Sequence, residues 1–137
     1  MQREAVNPTE WGLGFFMNQG EVIEDATRHL RCSGQVSLQP DENAEMGLSV
    51  AHPGDMAGQI GEALASVDEI LKGAEMDRSN IVFINFFTTD VDAFLANYEV
   101  YASWIQPSGV MPPQSLIGVS RLVMPDLLVE IEVQAAA

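Results

Sequence analysis

The chain has 137 residues, of which 47% are hydrophobic, so it can form one packed domain over residues 1–137 and is not disordered. Twenty acidic against six basic residues give a formal net charge of −14, which disfavours nucleic acids and acidic membrane surfaces as partners. Cys32 is the only cysteine, which excludes an intrachain disulfide, and no apolar run approaches about 18 residues. We therefore expect a soluble, cytoplasmic protein.

The first part of the chain is predicted to be β structure between Gly14 and Val36. The segment EDAT (residues 24–27) would turn one strand into the next. In the second strand, HLRCSGQV, the alternation places His29, Arg31 and Ser33 on one face and Leu30 and Cys32 on the other. Residues 37–54 contain two prolines, two glycines and many polar residues, and they predict a long, irregular connection.

A helix is predicted from about Asp55 to Gly73. Asp55 can cap its first amides, and Gly73 can adopt the left-handed conformation that ends it. The sequence NIVFINFFTT then has β-branched and aromatic residues at successive positions, which is typical of a central strand covered on both faces. The apolar stripe of the helix consists of Met56, Ile60, Leu64, Val67 and Leu71.

A second helix is predicted after Thr89 or Asp90, either of which can be its N-cap. Two strands follow, at residues 114–123 and 127–134, and the tripeptide MPD favours a tight turn between them. The apolar face of the helix consists of Val91, Phe94, Leu95, Tyr98, Tyr101, Ala102 and Ile105.

The order β-β, loop, α, β, α, β-β favours an α+β domain in which two helices cover one face of a mixed sheet. In the last strand, Leu127, Val129, Ile131 and Val133 form the inward set. The opposite face carries Glu130 and Glu132 but also Leu116, Leu122 and Leu128. A face this mixed is either solvated or part of a subunit interface that contains a wet cleft.

Six short motifs resemble the RidA/YjgF family of reactive-intermediate (imine) deaminases. In chain order they are SGQV, GDMAGQIGEALASVDEIL, FFTTDVDAF, PPQS, GVSRL and VEIE, and the resemblance runs from about Gly14 to the end. It implies a chorismate-mutase-like fold and a homotrimer with three intersubunit clefts. It also implies hydrolysis of 2-imino acids to 2-oxo acids and ammonia, without a metal or organic cofactor.

The resemblance also assigns site residues. Ser33 and Gly34 match the family's serine-glycine pair, and Glu130 matches the pocket glutamate that is thought to position water. Gln114 replaces the arginine that grips the substrate carboxylate. Ser33 and backbone amides near Ser115 could hold developing negative charge. At three other positions the family's usual residue is changed: Phe16 stands for tyrosine, Tyr98 for asparagine and Leu116 for cysteine.

Loss of the arginine should weaken capture of a 2-imino acid. Removing one partner of a buried charged pair costs about 2–5 kcal/mol, or roughly 30-fold to several-thousand-fold in binding. Strand parity makes Arg31 a candidate replacement. A less polar pocket favours an imine, an enamine or a related compound that lacks a carboxylate.

Two functions stay open at this point. The first is a deaminase-like hydrolase in which Glu130 acts in the cleft, while Glu132 faces water or a neighbouring chain. The alternative is a non-catalytic ligand-binding or chaperone-like trimer. His29 and His52 do not have the spacing of metal ligands, so no metal is expected.

Overall fold

The computed structural model describes all 137 residues and contains nine strands and three α-helices. Short 3-10 helices lie at Leu13–Phe15, Arg78–Asn80 and Gln106–Ser108. In chain order the main elements are β1 (Gln2–Val6), β2 (Gly20–Glu24), β3 (His29–Arg31), β4 (Gln35–Val36), β5 (Leu38–Pro40), β6 (Leu48–Val50), α1 (Met56–Gly73), β7 (Ile81–Thr88), α2 (Val91–Ala96), α3 (Glu99–Ile105), β8 (Gln114–Gly118) and β9 (Val129–Ala136).

Strand β7 is the centre of a mixed sheet. It pairs antiparallel with β9 on one side and parallel with β8 on the other. Strands β3 and β4 both pair antiparallel with the far edge of β9. The α+β architecture with helices on one sheet face is therefore confirmed.

The predicted hairpin of the last two strands is wrong. Strand β8 ends at Gly118. Residues 119–128 then pass the end of β7, and β9 pairs with the opposite edge of β7 from β8. Two backbone hydrogen bonds hold this crossing, from Val119 N to Thr88 O (2.8 Å) and from Thr89 N to Leu128 O (3.2 Å). A tight turn at MPD therefore does not require that the strands before and after it pair with each other.

Helix α1 forms as predicted, and its apolar stripe is buried. Asp55 caps it by accepting a hydrogen bond from Gly58 N (2.9 Å). The left-handed residue after the helix is Glu75 (φ 58°), whereas Gly73 stays helical, so the predicted exit is two residues too early. The second predicted helix is broken into α2 and α3 around residues 97–98, and Asp90 is the residue that caps it.

Two hairpins lie outside the main sheet. Strand β1, which the sequence did not predict, pairs with β2, so EDAT does not join two adjacent strands. Arg3 of β1 donates to both carboxylate oxygens of Glu21 (2.9 Å each) and to the carbonyls of Ser79 and Ile81 (2.6 Å each). Residues 37–54, expected to be irregular, contain the small β5–β6 hairpin.

The core lies between the sheet and the helices, and 17 buried residues form it. On β9 Val129, Ile131 and Val133 are buried, as the alternation predicted, and Ala135 and Ala136 at the end of the strand are buried as well. The other sheet face is only half-buried within one chain, so β7 is not covered on both faces there. We call this second face the outer face, and its residues are Phe83, Asn85, Phe87, Ser115, Ile117, Glu130, Glu132 and Gln134. No helix has the length and apolar character needed to cross a bilayer.

Candidate functional site

Glu130 lies directly against Gly34. The pairing of β4 with β9 sets Val36 opposite Glu130, and the chain just before β4 then passes over the carboxylate. A Cβ atom built on Gly34 would lie 2.4 Å from Glu130 Cδ and 2.6 Å from Oε2. Only glycine at position 34 leaves room for the carboxyl group in this place.

Glu130 and Glu132 differ in their hydrogen bonds, although they are neighbours on the same face. Glu132 Oε1 accepts from Asn85 Nδ2 (2.9 Å), whereas the Glu130 carboxylate accepts no hydrogen bond from the chain. Burial raises the pKa of Glu130 above its ordinary value, and the nearby charge of Glu132 raises it further. Glu130 is therefore the carboxylate that is free to bind a water molecule or a ligand.

A cavity of about 270 Å³ lies on the other side of the sheet, between the loop before β2, helix α2 and strand β8. We call it the Gln114 cavity. Six of its seven lining residues are apolar or aromatic. The lining residues are Trp11, Phe15, Met17, Leu95, Tyr98, Gln114 and Leu116.

Two consecutive hydrogen bonds connect residues that line this cavity. Gln114 Nε2 donates to the Tyr98 hydroxyl (2.7 Å), which in turn donates to the carbonyl of Phe15 (2.5 Å). Burial raises the pKa of Tyr98 to about 12, although the hydrogen bond from Gln114 opposes this shift, so the phenol stays protonated at neutral pH. Gln114 Oε1 is buried and has no hydrogen-bond donor.

The predicted site residues thus fall into two groups on opposite sheet faces. Gln114 and Leu116 are level with Ile84 and Phe86 on the helix-covered face, whereas Glu130 is level with Phe87 on the outer face. The first group consists of Tyr98, Gln114 and Leu116, and the second of Glu130 and Gly34, with Ser33 next to Gly34 in the chain. One chain does not bring the two groups together.

Arg31 does not approach Gln114 within the chain. It pairs with Gln134 in β3, and three strand spacings, about 14 Å, separate β3 from β8. Arg31 instead lines a small cavity of about 140 Å³ with Glu132 and Asn85. The proposed replacement of the arginine by Arg31 therefore fails within one chain.

The aromatic wall of the Gln114 cavity was only partly predicted. Phe16 does not line the cavity; it has a left-handed backbone (φ 54°) and packs against the core. The adjacent Phe15 lines the cavity, with its ring in edge contact with Tyr98 at 5.8 Å between centroids. Sequence reasoning missed Trp11 and Met17, although the dense apolar run WGLGFFM was a usable signal. Ser115 lies on the outer face beside Asn85.

Residues 19–137 match the sequence profile of the family described as endoribonuclease L-PSP. The chain belongs to this family, which is also known as RidA/YjgF. A RutC family protein from Aquifex aeolicus (strain VF5) is 31% identical over 103 residues, which are 75% of this chain and 76% of that protein. A 2-iminobutanoate/2-iminopropanoate deaminase from Rattus norvegicus is 29% identical over 101 residues, 74% of this chain and 66% of the deaminase.

A solved RidA/YjgF structure matches the whole fold. The Rid family protein YyfB from Yersinia pestis, described as of unknown function, aligns with a TM-score of 0.81 at 25% identity, over 100% of both chains. Family membership confirms the resemblance seen in the six motifs.

Proposed function

We propose that this RidA/YjgF protein is a small-molecule hydrolase that deaminates an imine, an enamine or a related compound lacking a carboxylate. The reaction takes place in a cleft between copies of a chorismate-mutase-like homotrimer, without a metal or cofactor. Glu130 positions the attacking water. The observation that carries the proposal is the half-buried carboxylate of Glu130, held against Gly34 with no hydrogen-bond donor of its own.

The chemistry needs one group that takes and returns a proton. Water adds to the carbon of the C=N bond, and Glu130 takes one proton from this water and returns it to the nitrogen, which gives an amino alcohol. Glu130 then carries the hydroxyl proton to the nitrogen as the C–N bond breaks, which leaves the C=O product and releases ammonia. A carboxylate with a raised pKa suits this role, because a more basic carboxylate accepts a proton from water more readily.

The assembly is supported by the separation of the two residue groups. A site that uses both Glu130 and the Gln114 cavity must take them from different chains, since they lie on opposite sheet faces. The outer face also presents apolar side chains that a neighbouring copy would cover, such as Phe83, Phe87 and Ile117. Ser33, which precedes Gly34 in the chain, and the backbone near Ser115 on the outer face would hold the substrate.

The substrate class is supported by Gln114. A guanidinium binds a carboxylate through two charge-assisted hydrogen bonds, whereas glutamine offers one neutral amide. The lining of the Gln114 cavity is otherwise apolar, and it contains no cation. A neutral or larger substrate suits this cavity better than a small 2-imino acid.

The test is ammonia release with imines generated in solution, one with a carboxylate and one without. Glu130→Gln should lower turnover by about 10²- to 10⁴-fold while ligand binding is retained. Glu132→Gln is the matched control, because it keeps an oxygen for Asn85 and should retain most activity. Full activity of Glu130→Gln would show that another group activates water.

The alternative function is a non-catalytic ligand-binding or chaperone-like trimer. The replacement of the family's arginine by Gln114 favours this alternative, since the change removes the cation that would bind the carboxylate of a 2-imino acid. In this case the wild-type protein would release ammonia no faster than the uncatalysed reaction. Glu130→Gln would then leave ligand binding unchanged.

A further inference from the structure

The amide of Gln114 has only one orientation that fits its surroundings. The Tyr98 hydroxyl has a single proton, and it donates this proton to the carbonyl of Phe15. Tyr98 can therefore only accept from residue 114, which fixes the NH₂ group of Gln114 toward Tyr98. The other end of the amide, Oε1, is left as a buried acceptor without a donor.

An unpaired acceptor beside an apolar cavity selects for a particular ligand. A buried carbonyl oxygen that lacks a donor loses its hydrogen bond to water without compensation. Gln114 lines the cavity, and its flexible side chain can shift while Nε2 keeps its hydrogen bond to Tyr98, so that Oε1 meets a molecule bound there. A ligand that donates an N–H restores the missing bond, whereas an ester or carboxylate adds another acceptor.

We propose that the Gln114 cavity binds neutral molecules with an apolar body and an N–H donor, such as primary amides, imines and enamines in their N–H form. Tyr98 is the positioning residue that sets this preference, since it holds Gln114 with its acceptor free. The inference rests on the proposed function only in taking this cavity as the ligand site. It requires no catalysis.

Three probes of similar shape test the preference by calorimetry: phenylacetamide, methyl phenylacetate and phenylacetate. The wild-type protein should bind the amide about tenfold more tightly than the ester, the factor expected for one good hydrogen bond, and the anion most weakly. The two tryptophans report the location, because Trp11 lines the cavity and Trp104 does not. The indole N–H signal of Trp11 should shift on titration while that of Trp104 stays.

Tyr98→Phe removes the hydroxyl that orients Gln114, so the ratio of amide to ester affinity should fall toward one. Tyr101→Phe, three residues further along the chain, is the matched control, since the Tyr101 hydroxyl is buried without a partner and lies outside the cavity lining. It should keep the tenfold ratio. If Tyr98→Phe does not fold, Gln114→Leu removes the acceptor directly and should abolish the ratio.

Equal binding of ester and amide by the wild-type protein, or tightest binding of phenylacetate, would overturn this inference. Such a result would leave the proposed hydrolase intact if imines are still turned over. The amide preference without any turnover would instead support the ligand-binding alternative. The two proposals can thus fail separately.

Discussion

Gly34 and Glu130 are in contact across the β4–β9 pair, where even a methyl group on Gly34 would come within 2.4 Å of Glu130 Cδ. Gly34→Ala must therefore push the carboxylate aside. Since a displacement of about 1 Å at a reacting group can lower the rate about 100-fold, turnover should fall by that order. Steady-state ammonia release measures this change.

Gly61→Ala is the control for that substitution. Gly61 lies in the interior of α1, and an added Cβ meets no atom within 4 Å. The variant should keep full turnover and gain about 0.5–1 kcal/mol in the free energy of unfolding, because alanine favours helix over glycine. A similar loss of activity in both variants would argue against a specific role for the Gly34 contact.

Glu130→Gln should change the pH dependence of stability. The folded chain holds the Glu130 proton to a higher pH than the unfolded chain does, since the pKa is raised by burial and by Glu132. Stability from this group is therefore greatest at low pH and is lost as pH rises from the unfolded pKa through the folded one. Urea unfolding should show that Glu130→Gln lacks this decline and is more stable than wild type at pH 7. An unchanged profile would mean that Glu130 is not perturbed.

Gln59 joins α1 to the loop that leads into β9. Its buried amide donates to the carbonyls of His52 (3.1 Å) and Asp126 (2.9 Å), and it accepts from Leu128 N (2.8 Å). Gln59→Leu keeps the volume but leaves Asp126 O and Leu128 N unpaired, while His52 O keeps its bond from Asp55 N, so the free energy of unfolding should fall by about 2–5 kcal/mol. Gln106→Leu, at an exposed position, should change it by less than about 0.5 kcal/mol. Equal effects would show that the network contributes little.

The proposed trimer has a direct test in solution. The protein should sediment at three times its chain mass of 14.9 kDa. Phe83→Glu places a charge on the outer face and should shift the equilibrium toward the monomer, with loss of turnover. Val123→Glu adds the same charge in a loop where the side chain is 72% exposed, and the assembly should persist. A wild-type monomer would contradict the intersubunit cleft.

The sequence predicted those features that depend on local patterns. The stripe and cap of α1 and the alternation in β9 follow from short-range periodicity, and both are confirmed. The pairing of β8 was missed because a turn sequence such as MPD fixes the local bend, not the strand that receives the partner. The parallel β7–β8 pair is instead set by long-range packing.

The division of the site into two groups could not be read from the sequence either. Alternation assigns faces within each strand, but only the register between strands shows that Gln114 and Glu130 lie on opposite sides. The motif match supplied candidate residues in both groups, and their roles stay predictions. Phe15 was missed in favour of Phe16 because the left-handed backbone at Phe16, which the sequence does not reveal, places that ring against the core and leaves the ring of Phe15 at the cavity.

The hydrogen bonds of Arg3 have a consequence for how binding experiments are designed. The guanidinium of Arg3 joins the β1–β2 hairpin to the backbone of Ser79 and Ile81 through hydrogen bonds. The loop between β1 and β2 contains Trp11, Phe15 and Met17, which line the Gln114 cavity. A purification tag fused ahead of Met1 adds chain only two residues before this guanidinium, so an affinity measured with the tag in place needs the untagged protein as its reference. Titrations therefore call for protein from which any leading fusion has been cleaved.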